Sequence, residues 1–246
     1  MTLSEFFSVG FIIKYVNEHV SEIPDKTVAI LWATGCVVIA LAAYLLGSLN
    51  FAIIISGKTY GQDIRNFGSK NAGMTNMMRT YGKRAAGLTL LGDALKAVVA
   101  GLIGYALLGQ LGAYIAGVFC VIGHMFPVYY KFRGGKGVVT TAISMLMCNP
   151  FVFLIVFSLF VALVAMTKYI SVGSIMCVLI YPLILYRIET HLNGFCPYVP
   201  FALLITVLVV FKHRSNITRL LNGTESKFSF KKSVKAKKTD TEDGEE

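Results

Sequence analysis

Charged side chains are scarce in this chain. They make up 15% of its 246 residues, against roughly 25% in soluble domains. Hydrophobic residues make up 55%, and mean hydropathy is +0.66. That balance excludes an ordinary water-soluble domain and points to a polytopic membrane protein. A secretory signal pattern is also missing, because no short basic region precedes the modest apolar stretch at the start and Glu5, Glu18, Glu22 and Asp25 surround it; the first helix is expected to insert uncleaved. The five cysteines, Cys36, Cys120, Cys148, Cys177 and Cys196, show no C-x-x-C spacing and form an odd set in or beside apolar stretches. Neither a disulfide framework nor a zinc site is expected.

Long runs with few charges remain: 29–56, 85–109, 111–130, 151–167, 172–186 and 197–211, several near the ~20 residues needed to cross the hydrocarbon core. A shorter run, 138–148, reads as a short or tilted helix packed inside the bundle. The fold class is therefore all-α: a polytopic membrane helix bundle of about seven transmembrane helices. Of the basic residues, six lie in 57–84 (Lys58, Arg65, Lys70, Arg79, Lys83, Arg84), three in 131–137 and nine from Lys212 onward. With seven crossings all three groups fall on one side together with Lys168, and the positive-inside rule makes that side cytoplasmic. Three parts follow: an extracytoplasmic N-terminal extension (1–28), a membrane domain (29–226) and a charged cytoplasmic tail (227–246) that shifts from basic to acidic as disordered segments do.

Three polar stretches face that cytoplasmic side. "KFRGGKG" (131–137) puts glycines beside lysines, but it is not a Walker A loop, because Lys136 is followed by Gly137 instead of a hydroxyl. Two readings stand: orientation charges around a turn, or a nest of backbone N–H groups at the start of helix 138–148 that binds an anion, with Lys136 adding a point charge. "GSKNAGMTNMMR" (68–79) is rich in small hydrogen-bonding residues. Ser69, Asn71, Thr75 and Asn76 suit turns and caps or, equally, hydroxyl and phosphoryl oxygens, and Arg79 offers a planar fork suited to phosphate. In "KHRSNITRLLNGTESKF" (212–228) His213 and Asn216 stand three apart and share a face if the helix continues; His213 is the best candidate for a group titrating near neutrality, since His124 begins the short turn His124–Met125–Phe126–Pro127 and His191 lies in an external loop. Within the apolar runs, Asp93 and Lys96 sit at i, i+3, and the cost of charge in lipid predicts that they face inward and pair. Anion-binding loops of this kind serve an enzyme or a transporter of a phosphorylated anion. Clustering on one face and the absence of an inverted repeat count against the transporter, but the residues by themselves leave the two readings near parity.

Taken together, "GSLNFAIIISG", "DIRNFGSKNAGMTNMMRTYGKRAAGLTLLGDALKA", "GHMFPVYYKFRGGKGVVTTA", "KYISVGSI" and "HRSNITRLLNGTE" resemble, in order, the PlsY family of bacterial acyl-phosphate:glycerol-3-phosphate acyltransferases. The resemblance covers roughly residues 41 to 228; the N-terminal extension is long for the family, and the chain beyond Phe230 is outside its pattern. It implies a seven-helix plasma-membrane enzyme with cytoplasmic active-site loops. This enzyme moves a fatty acyl group from acyl phosphate to the 1-hydroxyl of glycerol 3-phosphate, with no cofactor or metal and no nucleic-acid partner, and contact with other enzymes of phospholipid synthesis is a further expectation. Carried over by motif, Ser69 and Arg79 hold and polarise acyl phosphate, with Asn71, Thr75 and Asn76 beside them. Lys136 with Gly134, Gly135 and Gly137 holds glycerol 3-phosphate. His213 and Asn216 serve activity, Glu225 matches a structural glutamate, and Ser171 and Ser174 match a region in which either could touch substrate. Asp93 and Lys96 are expected as a structural pair. No Ser-His-Asp set or H-x-x-x-x-D acyltransferase box is present, so either His213 or the departing phosphate could take the hydroxyl proton.

Overall fold

The computed structural model describes residues 10–19 and 24–228; the charged tail beyond Phe228 lies outside the described residues. The described residues form α-helices joined by loops: α1 (Phe11–Glu18), α2 (Asp25–Ser48), α3 (Phe51–Tyr60), α4 (Met74–Tyr81), α5 (Lys83–Met125), α6 (Val138–Cys148), α7 (Pro150–Thr167), α8 (Ile170–Asn193), α9 (Val199–Lys212) and α10 (Arg214–Leu221). Helices are what a lipid-facing chain must form, since each backbone N–H and C=O then finds its partner within the segment. Among the described residues, four stretches are long and apolar enough to cross a membrane, or five if the α9–α10 pair, bent by 56°, counts as one span.

α5 holds the centre. Its 43 residues would run about 65 Å if straight, roughly twice the thickness of a hydrocarbon core. Leu108 and Gly109 leave helical geometry, however, with Gly109 at φ 54 and ψ −142, and the chain doubles back into two arms, 83–107 and 110–125. The arms meet at two glycines. A Cβ on Gly104 would stand 2.2 Å from the Gly112 carbonyl oxygen, and one on Gly112 would stand 2.0 Å from that of Gly104. Small residues let membrane helices approach this closely. α2 uses the same device against the second arm, where a Cβ on Gly47 would stand 2.2 Å from the Cys120 carbonyl oxygen. α1 lies at the hairpin turn, with the Gly10 backbone against Gly109 and Leu107.

Two boundaries differ from those read in the sequence. The run 29–56 is not one span: α2 starts at Asp25 and ends at Ser48. Asn50 then caps a new helix, its side-chain oxygen accepting from the Ile53 N–H at 3.2 Å. The expected division at residue 28 therefore falls inside α2. α8 runs to Asn193, seven residues past the expected end of its span, because the buried Glu189 is satisfied by Asn149 Nδ2 at 2.6 Å and Asn193 Nδ2 at 2.7 Å. α6 is short as expected, 11 residues, and packs between the α5 arms and α7 with Thr140, Thr141, Ser144, Met145 and Cys148 buried.

A side chain at the glycine crossing should open the hairpin. Gly104→Val is expected to lower the thermal unfolding midpoint in detergent, with an overpacking cost of about 1–3 kcal/mol or more because the obstacle is backbone. An unchanged midpoint would mean that the two arms do not touch there.

Candidate active site

The three polar stretches meet at one end of the bundle around a cavity of about 1000 Å³. The first loop is shaped by Asn76. Its amide donates to the carbonyls of Phe67 (2.9 Å), Asn71 (3.1 Å) and Ile64 (3.2 Å), while its oxygen accepts from the Ser69 N–H at 3.0 Å. Those bonds use the whole amide, so Asn76 folds the loop and has no proton left for a ligand. Ser69, Asn71, Thr75 and Arg79 line the cavity. Arg65, which carried no role in the sequence reading, ties this loop to the next by donating to the carbonyls of Tyr130 at 3.0 Å and Arg133 at 2.9 Å while paired with Asp63.

The glycine loop turns back on the end of α5. The Gly134 N–H donates to the Met125 carbonyl at 3.3 Å and the Gly135 N–H to the His124 carbonyl at 3.1 Å. These two amides therefore hold the loop, and the amides free to meet an anion begin at Lys136, where Gly137 caps α6 at φ 75. Gly135 is required for a packing reason: a Cβ there would stand 2.2 Å from His124 Nε2 and 2.4 Å from the Ala72 carbonyl oxygen. Lys136 extends toward α10 and donates to Asn216 Oδ1. Burial pushes its ammonium down to about 8, against the attraction of Glu225.

On the far side, α9 breaks at His213, which is 2% exposed, and α10 leaves at 56°, so His213 and Asn216 both line the cavity. His213 Nδ1 lies 2.8 Å from the Val209 carbonyl oxygen. Burial pushes its imidazole down to about 4, below the near-neutral titration expected from the sequence, so the ring is neutral, with Nδ1 the donor and Nε2 the acceptor. Glu225 gathers the rest, accepting from Asn216 Nδ2 (2.6 Å), Ser171 Oγ (2.8 Å) and Arg219 Nε (2.7 Å). Burial alone would raise its pKa, but the donors Asn216, Arg219 and Ser171 hold it below the usual glutamate value. Ser174 Oγ donates to the Ile170 carbonyl at 2.8 Å and also faces the cavity. Arg79 Nη2 reaches the Ser226 carbonyl at 3.3 Å, so the segment after α10 crosses the mouth. Burial lowers the Arg79 pKa, though a guanidinium starts high enough to remain charged.

Below this polar end the cavity continues as an apolar groove along α7 and α8, lined by Val156, Phe157, Phe160, Val164, Cys177 and Val178. Asp93 and Lys96 pair as expected, 2.8 Å apart and 2–3% exposed. They sit behind the glycine loop together with His124, which the sequence reading left as the start of a turn and which is 4% exposed. A single chamber thus presents cations and hydroxyls at one end and hydrocarbon at the other. Chemically it can hold phosphate and an alkyl chain at once.

Comparison with known proteins agrees with this chemistry. Residues 37–223 match a family model described as glycerol-3-phosphate acyltransferase. The glycerol-3-phosphate acyltransferase of Finegoldia magna is 41% identical over 194 residues, covering 78% of this chain and 95% of that protein. That of Clostridioides difficile is 42% identical over 202 residues, covering 80% and 97%. Among solved structures, a crystal structure of PlsY, an integral membrane glycerol 3-phosphate acyltransferase, in its glycerol 3-phosphate form aligns with a TM-score of 0.71 and 34% identity over 79% of this chain and 96% of that one. Its lysophosphatidic acid form aligns with a TM-score of 0.68 and 31% identity over the same shares.

The Glu225 network has a pH signature. Because the folded-state pKa is depressed, the stability contributed by this carboxylate is present above the ordinary glutamate range and is lost as pH falls through and below it. The unfolding midpoint of the wild type should therefore fall more steeply on acidification than that of Glu225→Gln. Parallel curves would show that the carboxylate charge adds nothing to the network.

Proposed function

The chain belongs to the glycerol-3-phosphate acyltransferase family that includes PlsY, and from that premise we propose that it transfers a fatty acyl group from acyl phosphate to the 1-hydroxyl of sn-glycerol 3-phosphate. The products are lysophosphatidic acid and inorganic phosphate. The observation that carries this reading is the continuity of one chamber, with Arg79, Lys136 and Ser69 at its polar end and the Phe157–Phe160 groove leading away from them. An acyl phosphate needs both ends at once.

Arg79 and Ser69 receive the phosphate of the donor, and the acyl chain lies in the groove. Lys136 and the amides that open α6 receive the phosphate of the acceptor, which brings its hydroxyl to the acyl carbonyl carbon. A new ester C–O bond forms as the acyl carbon–oxygen bond to phosphate breaks. The hydroxyl proton passes to His213 Nε2, an acceptor in this tautomer, or to the departing phosphate. The donor is already activated, so orientation and positive charge on the leaving group supply the acceleration without a covalent intermediate.

On this reading the crossings number seven: α2, the two arms of α5, and α6 to α9. All three basic segments then lie on the cytoplasmic face, where a phosphorylated, water-soluble acceptor is available, and α1 lies outside.

One assay tests both the donor and the role of Arg79. Purified protein with labelled glycerol 3-phosphate should form lysophosphatidic acid from palmitoyl phosphate and not from palmitoyl-CoA. Arg79→Lys keeps the charge but loses the bidentate fork, and should lower turnover about 10²-fold, with less effect on apparent affinity, because the contact strengthens as the leaving group charges. Equal rates from the two donors would overturn the reading, and near-normal turnover by Arg79→Lys would place the leaving phosphate elsewhere.

A further inference from the structure

His124 is a buried polar side chain that the mechanism above leaves without a part, and its surroundings fix how it is protonated. Lys96 Nζ lies 2.9 Å from the Gly47 carbonyl oxygen, 2.8 Å from that of Leu49 and 2.9 Å from His124 Nδ1. Asp93 Oδ1 stands 2.8 Å from the same nitrogen and 3.5 Å from Nδ1, so four acceptors share the three ammonium protons. An ammonium donates and cannot accept, so the 2.9 Å contact runs from Lys96 to the ring nitrogen. Nδ1 of His124 is therefore an acceptor, and the ring's own proton is on Nε2.

That Nε2–H points to the junction of the two phosphate-facing loops. The position a Cβ on Gly135 would occupy is 2.2 Å from Nε2, and the Ala72 carbonyl oxygen is 2.4 Å from the same position. His124 lines the substrate chamber beside Gly137 and Ser69. Its hydrogen bonds and ion pairs run from Nδ1 to Lys96 and Asp93, which leaves the Nε2 proton without an acceptor among the described residues. The ring is 4% exposed overall, but Nε2 itself is not sealed from solvent, so its proton opens into the chamber and is available to a ligand there. We propose that His124 is a further substrate-binding residue, donating Nε2–H to a phosphoryl oxygen of the acceptor held over Gly135 and Lys136, with Lys96 and Asp93 as the positioning pair that keeps the proton on that nitrogen. The proposal rests on the acyl-transfer reading above. It adds a third kind of donor to a phosphate site so far built from the Lys136 ammonium and backbone amides.

Two variants separate the two ring nitrogens. Asparagine can still accept from Lys96 near the Nδ1 position but cannot reach the chamber, whereas glutamine carries an amide proton to about the Nε2 position. With wild-type protein first shown to make lysophosphatidic acid from palmitoyl phosphate, His124→Asn should raise the KM for glycerol 3-phosphate about ten- to a hundred-fold, the loss expected for one hydrogen bond to a charged group. The KM for palmitoyl phosphate and turnover at saturation should change less than about threefold, about 0.65 kcal/mol. His124→Gln should restore most of the affinity. In wild-type protein carrying ¹⁵N-labelled histidine, the Nε2-protonated ring of His124 should shift when glycerol 3-phosphate is added. An unchanged acceptor KM in His124→Asn would overturn the proposal, as would a fall in turnover shared equally by both variants. If neither variant is stable enough to assay, an Nδ1-protonated His124 or a ring signal indifferent to glycerol 3-phosphate would overturn it. A wild-type protein that forms no lysophosphatidic acid would instead refute the acyl-transfer reading itself.

Discussion

The carboxylate of Glu225 is the contact on which the site's geometry depends. Lys136 faces the chamber because Asn216 accepts from it, and Asn216 is oriented because Glu225 accepts from its amide at 2.6 Å. The same carboxylate holds Ser171 at the start of α8 and Arg219 on α10. One side chain thus joins the glycine loop, the start of α8 and the last helix, which are separated by tens of residues in the chain. A hydrogen-bonded ion is stronger and more directional than a neutral contact, and in a partly dry cavity a half-satisfied network would be worse than none. The arrangement also explains why several cations can share one chamber in the absence of phosphate: Glu225 offsets Lys136, Arg79 and Arg219, as its attraction on Lys136 and Arg79 records.

A second buried cluster does similar work behind the loop. Lys96 in a membrane helix is expensive, and it is tolerated because Asp93 pairs with it and two carbonyls at the end of α2 accept from it. Those carbonyls, of Gly47 and Leu49, belong to the place where α2 stops and Asn50 begins α3. The ion pair therefore fixes the point at which the chain leaves the bundle for the first polar loop. Arg65 then ties that loop to the second one through two backbone carbonyls. Electrostatics positions the site, and the glycine crossings of α5 and α2 supply the close-packed frame.

Much of this was legible in the sequence, for physical reasons that also mark what was not. Apolar runs report on lipid and polar, basic loops on one end of the bundle, so the helical architecture and the polar face followed from them. The i, i+3 pair of Asp93 and Lys96 is local and could be read directly. The break at Asn50 could not, because one asparagine within an apolar run carries no sign that it will cap a helix. His124 looked like the start of a turn, since its partner Lys96 is 28 residues away and comes near only when the hairpin closes. Asn76 read as a ligand contact because a site asparagine and a loop-folding asparagine have the same local sequence. The glycines of 134–135 read either as a turn among orientation charges or as an open anion nest; their own amides close onto α5, and the space they save is taken by the His124 ring and the Ala72 carbonyl.

In the proposed reaction the two substrates occupy one chamber together and react directly. Acyl transfer by a covalent enzyme would release phosphate before the acceptor bound, giving parallel double-reciprocal plots and an acylated protein. Steady-state rates measured over a grid of palmitoyl phosphate and glycerol 3-phosphate concentrations distinguish the two schemes. The structure predicts intersecting lines and no release of phosphate until glycerol 3-phosphate is added. Parallel lines, with radiolabelled palmitate retained on denatured protein, would contradict it.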